Sequence, residues 1–223
     1  MDKQRTIECL LDKKPIKEIK DVQNIDYNKK AANKSNTLGV NTKTAKSPIK
    51  KSLSVNKNHT QSKKNVTIIG DSMLNGINEK GFKHNKVKVR AHPGATSEDL
   101  YHFIKPSVNK KPDIIILHAG TNDIPNDLKT IDNIKKIDDY IKVNSPATKL
   151  VISNIITRND KTGYRDKVIK MNERISKFCE KNEIGLVDNI NIDATCLGAQ
   201  KLHMNKKGNS YLANNVIKFL SDY

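Results

Sequence analysis

The chain has 223 residues, enough for one α/β domain with length to spare, and a formal net charge of +17 from 41 Lys+Arg against 24 Asp+Glu. Such an excess favours anionic partners, nucleic acid or an anionic membrane surface, or else serves solubility alone. Aromatic residues at 4% with no Trp argue against a stacking platform for single-stranded nucleic acid, and no run has the length of a membrane span or a signal-peptide core.

Residues 1–64 differ in character from the rest. They are rich in Lys, Asn, Ser and Thr, and sixteen Lys+Arg against six Asp+Glu give them more than half of the net charge. The stretch 29–64 has too few large apolar residues to offset chain entropy. The expectation is a disordered basic tail, with a short helix around residues 7–19, acting as a solvated linker or as a salt-sensitive tether to nucleic acid. Cys9, Cys179 and Cys196 lack metal-type spacing. They read as free thiols of a reducing compartment, so the chain is expected to be intracellular, cytoplasmic or nuclear. Cys179 falls in a helical apolar pattern and is expected in the core.

From residue 65 to residue 223 the pattern is that of a folded domain. Five short apolar runs, at 66–69, 87–89, 114–117, 150–152 and 184–187, have the length and continuity of parallel strands covered on both faces. Helical periods separate them. Ser97-Glu98-Asp99 opens a helix carrying Leu100 and Phe103, which Pro106 kinks or ends. Ile131, Ile134, Ile137 and Ile141 follow a three/four spacing, as do Val168, Met171, Ile175 and Phe178. Leu212, Val216, Phe219 and Leu220 mark a last amphipathic helix. Strand–helix alternation of this kind predicts right-handed βαβ units in an open, doubly wound sheet, with sites outside the carboxyl ends of the strands.

The distinctive short motifs sit at those ends. Gly70-Asp71-Ser72 follows the first strand, where a sharp turn lifts a serine hydroxyl above the sheet. Residues 91–96 follow the second and contain Gly94. Gly120-Thr121-Asn122-Asp123 follows the third, and His203 precedes the last helix. Acyl transfer needs a nucleophile, a base and donors for an oxyanion. Ser72 can be the nucleophile, with its own N–H, the N–H of Gly94 and the amide of Asn122 as donors, and His203 can accept the serine proton. Each residue has a plainer role too: Ser72 as a helix cap, Gly94 and Asn122-Asp123 as turn residues, and His203 as a surface histidine. His118 is expected to be a satisfied buried histidine and His92 to line the mouth. Arg158 either faces an anionic substrate or is a solvated loop residue. Residues 70–76 lack the ending of a phosphate-binding P-loop, and no His/carboxylate cluster has metal spacing.

The order and context of these blocks, with Leu202-His203-Met204-Asn205-Lys206-Lys207-Gly208 as the last, resemble the SGNH (GDSL-like) hydrolases from about residue 65 to the C-terminus. The resemblance implies a three-layer αβα sandwich of flavodoxin-like type around a five-stranded parallel sheet. It also implies nucleophile Ser72, oxyanion donors Ser72, Gly94 and Asn122, base His203, an ester substrate, no metal and no organic cofactor. One departure is plain: the acidic residue usual three positions before the histidine is here Gln200, and the nearest preceding aspartate is Asp193. Gln200 accepting through its amide oxygen, Asp193 reaching in from its loop, and a Ser–His dyad helped by a backbone carbonyl are three alternatives that the sequence leaves open. The basic tail and Lys-Leu-His more narrowly resemble the esterase-like proteins of animal LINE-type retroelements, which points to contact with RNA or lipid. Two functions follow as expectations: a serine ester hydrolase, or a weak or inactive binding module on the same fold whose tail contacts nucleic acid.

Overall fold

The structure, a computed structural model, describes residues 62–223. The expected helix around residues 7–19, Cys9 and nearly all of the expected tail lie outside the described residues. Five strands form one wholly parallel sheet: β1 (Asn65–Gly70), β2 (Lys86–Ala91), β3 (Ile114–His118), β4 (Lys149–Ser153) and β5 (Gly185–Val187). Their spatial order is β2-β1-β3-β4-β5. The order reverses between β1 and β3, so the carboxyl ends of these two strands flank the topological switch point where open α/β sheets place their sites.

Each predicted apolar run became a strand. In β3 the side chains alternate between two cores: Ile115 and Leu117 belong to one, Ile114 and Ile116 to the other, and all four are buried. This two-sided burial explains the unbroken Ile-Ile-Ile-Leu run, since neither face of the strand meets water. On the first face lie α1 (Ser97–Phe103), α2 (Lys105–Val108), α3 (Thr130–Asn144) and α4 (Tyr164–Lys181). They contribute Leu100, Ile104, Val108, Ile134, Ile137, Met171 and Ile175. On the second face α5 (Lys206–Asp222) packs Leu212, Val216 and Leu220 against the sheet beside Met73, Leu74 and Phe82. The result is a three-layer αβα sandwich. Cys179 and Cys196 are free and buried, and burial pushes the Cys179 thiol up to about 11.

The helix starts and stops have local causes. Thr96 caps α1 in a reciprocal capping box with Asp99, one residue ahead of the expected start. The helix stops at Phe103, and Pro106 lies in the first turn of α2, where its missing N–H costs nothing. Asn205 caps α5 by accepting from the Gly208 N–H at 3.0 Å. No described helix is long and apolar enough to cross a membrane.

Candidate active site

The turn that carries Ser72 comes first in the chain. After β1 the backbone enters a five-residue 3-10 turn, Ser72–Gly76, where an α-helix start was the expectation. Asp71 caps this turn: its Oδ1 accepts from the Met73 N–H at 2.9 Å. The capping role thus falls to the residue before Ser72, and the serine hydroxyl is left for other partners. Ser72 Oγ lies 3.4 Å from His203 Nδ1, across 131 residues of sequence. That is long for a hydrogen bond, as is common in unliganded sites. Among the described residues neither N–H of Ser72 nor of Gly94 donates to a protein acceptor, so both remain available to a ligand oxygen.

The loop after β2 is fastened to the turn that carries Ser72. The His92 N–H donates to the Gly70 carbonyl at 2.8 Å, and the Ala95 N–H donates back to the His92 carbonyl at 3.1 Å. Gly94 holds φ +78° within this turn, a left-handed conformation that glycine adopts at no steric cost. The His92 ring stacks on Phe103 with centroids 4.5 Å apart. Burial, helped by the Arg90 charge, holds that imidazole below its ordinary value.

The loop after β3 is fastened in turn to the loop after β2. Asn122 Nδ2 donates to the Ala95 carbonyl at 2.9 Å, which leaves its second amide hydrogen unspent. Asp123 accepts from the N–H of Ser97 at 3.0 Å and from its hydroxyl at 2.6 Å. Burial raises the Asp123 carboxyl above its usual range, against the pull of those Ser97 bonds. The side-chain bonds of Asn122 and Asp123 therefore reach other segments and do not close a local Asx turn, while the Asp123 N–H closes a backbone turn onto the Gly120 carbonyl at 3.1 Å. Gly120 holds φ +114°, a conformation strained for any residue with a side chain, and a Cβ there would also push on Ile155 Cδ1 at 2.5 Å.

His203 rides on a tight excursion between Leu197 and Met204, which pair as an antiparallel bridge. The Gly198 N–H donates to the His203 carbonyl at 2.7 Å, and the Asn159 N–H ties the Lys201 carbonyl to the loop after β4 at 2.9 Å. The imidazole itself is exposed. Among the described residues its one side-chain partner is Ser72. Neither orienting candidate reaches it. The Asp193 carboxylate accepts from the N–H and hydroxyl of Thr195 at 2.9 and 2.6 Å, which holds it below the usual carboxylate range. Gln200 is exposed and makes no side-chain hydrogen bond among the described residues.

Two residues beneath the site differ from expectation. His118 is buried, with Nδ1 3.1 Å from Ser153 Oγ, but its Nε2 lacks a partner, as does Asp71 Oδ2. Burial depresses this imidazole's affinity for a proton, and the Asp71 charge opposes that only in part. Arg158 is neither solvated nor aimed at a substrate. It is buried, forks onto both oxygens of Asp160 at 2.8 and 2.7 Å, and donates through Nη1 to the Thr121 carbonyl at 2.7 Å. Nothing in the spacing of residues 121 and 158 announced that bond. Among the described residues no three His, Cys, Asp or Glu side chains cluster as metal ligands.

The sequence over residues 68–211, well over half of the chain, matches the model of the GDSL-like lipase/acylhydrolase family. The chain belongs to that family. No curated protein matches it in sequence. Among solved structures, this GDSL-like chain resembles a GDSL-like lipase from Bacteroides thetaiotaomicron at TM-score 0.60 and 20% identity, covering 71% of this chain and 88% of that one. It resembles a member of the lipolytic G-D-S-L family from Veillonella parvula at 0.56 and 18%, covering 71% and 98%. An acetylxylan esterase from Geobacillus stearothermophilus aligns at 0.57 and 14%, covering 70% and 94%. At such identities the likeness is one of fold, and it agrees with the GDSL-like family match.

Proposed function

We propose that this hydrolase-family chain is a serine ester hydrolase working through a Ser72–His203 dyad. The observation that carries the reading is the 3.4 Å approach of Ser72 Oγ to His203 Nδ1, beside two uncommitted backbone N–H groups and a half-committed amide. In the tautomer with its proton on Nε2, the imidazole accepts from the serine hydroxyl. Oγ then adds to the ester carbonyl carbon, and Nδ1 takes its proton. The carbonyl oxygen, now an oxyanion, lies among the N–H groups of Ser72 and Gly94 and the free hydrogen of Asn122. Collapse breaks the bond to the alcohol oxygen, which leaves with the proton from His203, and Ser72 keeps the acyl group. A water deprotonated by the same nitrogen releases the acid. Solvent, rather than a carboxylate, faces Nε2 through these steps, and the cost of lacking that carboxylate in a serine protease is about 10⁴ in turnover.

Purified protein is expected to cleave a short-chain chromogenic ester, and Ser72→Ala to reduce this by at least ~10³-fold, as removal of a serine nucleophile does elsewhere. Equal rates for the two proteins end the reading. The missing acceptor on the imidazole favours one second reading, a non-catalytic binding module. Its basic tail would contact nucleic acid, with salt-sensitive RNA binding that is lost when residues 1–64 are removed. Retention of RNA binding by the truncated protein counts against it.

A further inference from the structure

The loop carrying Asn122 is gripped from two directions. On the α1 side the grip is the bonds from Ser97 to Asp123 and from Asn122 to Ala95. On the α4 side, three cations face the loop's carbonyl oxygens: Arg158 on Thr121 at 2.7 Å, Lys167 on Ile124 at 3.5 Å and Arg174 on Asp127 at 3.5 Å. The last two are long, and Arg174 is well exposed, so each contributes little. Arg158 is different. Its side chain is 8% exposed, its fork is locked on Asp160, and its guanidinium lies 4.7 Å over the Tyr164 ring. Its charge is compensated and its face is covered, so it has little left to offer a substrate anion.

The oxygen it holds matters. The Thr121 carbonyl and the Asn122 N–H belong to one peptide plane. A charge-assisted bond to that oxygen fixes the plane from which the Asn122 side chain departs. Only the Asn122 amide, among the three oxyanion donors named above, is a side chain, and it needs such orientation most.

We propose that Arg158, buckled to Asp160 and Tyr164, is the positioning residue that aims the Asn122 amide at the oxyanion. The inference rests on the hydrolase reading. It predicts that Arg158→Ala lowers kcat by roughly 10- to 100-fold at little changed KM, the scale of a misplacement of about 1 Å. Arg158→Lys, which reaches Thr121 but cannot fork onto Asp160, is expected to fall between the two.

The deciding measurement is a double-mutant cycle on the full chain with Asn122→Ala. If Arg158 acts through Asn122, adding Arg158→Ala to Asn122→Ala changes kcat by less than about twofold. An undiminished loss of kcat in that background overturns the proposal, because it means that Arg158 acts by general support of the fold. A second readout is independent of turnover. Amide hydrogen exchange in Arg158→Ala, or in Arg158→Lys if the alanine variant does not fold, should speed up in residues 120–127 and stay unchanged in α5. Unchanged exchange in residues 120–127 also overturns the proposal. A wild-type protein without Ser72-dependent turnover retires the hydrolase reading instead, and the exchange arm still decides whether Arg158 holds the loop.

Discussion

On one side of the candidate site Asn122 is held by Ala95, its neighbour Asp123 by Ser97, and its preceding carbonyl by Arg158. On the other side His203 is exposed, and its ring has a single partner at 3.4 Å. The first region is held by side-chain bonds from several elements, of which the Ser97–Asp123 and Arg158–Thr121 bonds are buried. The second is fixed through its backbone alone, by Gly198 on its carbonyl and Asn159 on the neighbouring Lys201. Fixed donors stabilise developing charge without reorganisation, whereas an imidazole with a single partner must be aligned at each turnover. The contrast teaches that, under the hydrolase reading, rate enhancement here comes more from the donors than from the base.

On the donor side the largest effect expected is at Asn122. Asn122→Ala should cost ~10²–10³ in kcat, the range for an oxyanion-hole side chain, with KM little changed. It should also free the Ala95 carbonyl. A loss below about fivefold would place the donors out of line with the carbonyl oxygen, and the contrast between the two sides would then have no kinetic meaning.

Beneath these loops lie buried polar groups of the sheet. His118 sits between Gly70 of β1 and Ser153 of β4, beside the charge of Asp71, which is itself capped onto Met73. Burial keeps its affinity for protons below the ordinary value of 6.5. The unfolded chain therefore takes up a proton at a pH where the native protein does not. Native stability from this group is fully present above 6.5 and is lost as pH falls through the native value, with a slope of at most about 1.4 kcal/mol per pH unit. Denaturant titrations between pH 7.5 and 5 should show that slope in the wild type and a flatter one in His118→Gln. Parallel curves would mean that His118 binds its proton equally well in the native and unfolded states, and a steeper fall in His118→Gln than in the wild type would mean that the Asp71 charge overrides burial and keeps the native imidazole protonated.

Much of this frame could be read in the sequence. The five apolar runs marked the strands because two-sided burial leaves no room for alternation, and the three/four spacings marked α3, α4 and α5. The motif residues Ser72, Gly94, Asn122 and His203 were legible because each ends or follows a strand or precedes a helix. What stayed hidden was set by contacts between distant loops. Arg158 read as a loop cation because nothing local shows that Thr121 offers it a carbonyl. Asp71 took the cap that Ser72 also suited, because a carboxylate one residue earlier reaches the Met73 N–H. That neither orienting candidate reaches the imidazole was hidden for the same reason: the Asp193 carboxylate is captured by Thr195, two residues on.

That capture leads to the smallest expected effect. Asp193 spends Oδ1 on the Thr195 N–H and hydroxyl, and Lys207 donates to that same hydroxyl at 2.9 Å. Its carboxylate serves the 3-10 turn Ala194–Cys196, whose far end leads into the His203 loop. Asp193→Asn keeps an acceptor oxygen for that turn, and Gln200→Ala removes a side chain that solvent already surrounds. Each should change kcat by less than about threefold, against the ~10⁴ that follows loss of a true imidazole-orienting acid. A collapse of kcat in Asp193→Asn with the fold intact would mean that the carboxylate leaves Thr195 for Nε2 when substrate binds. The imidazole side would then be organised by the substrate, and the difference between the two sides of the candidate site would narrow when substrate binds.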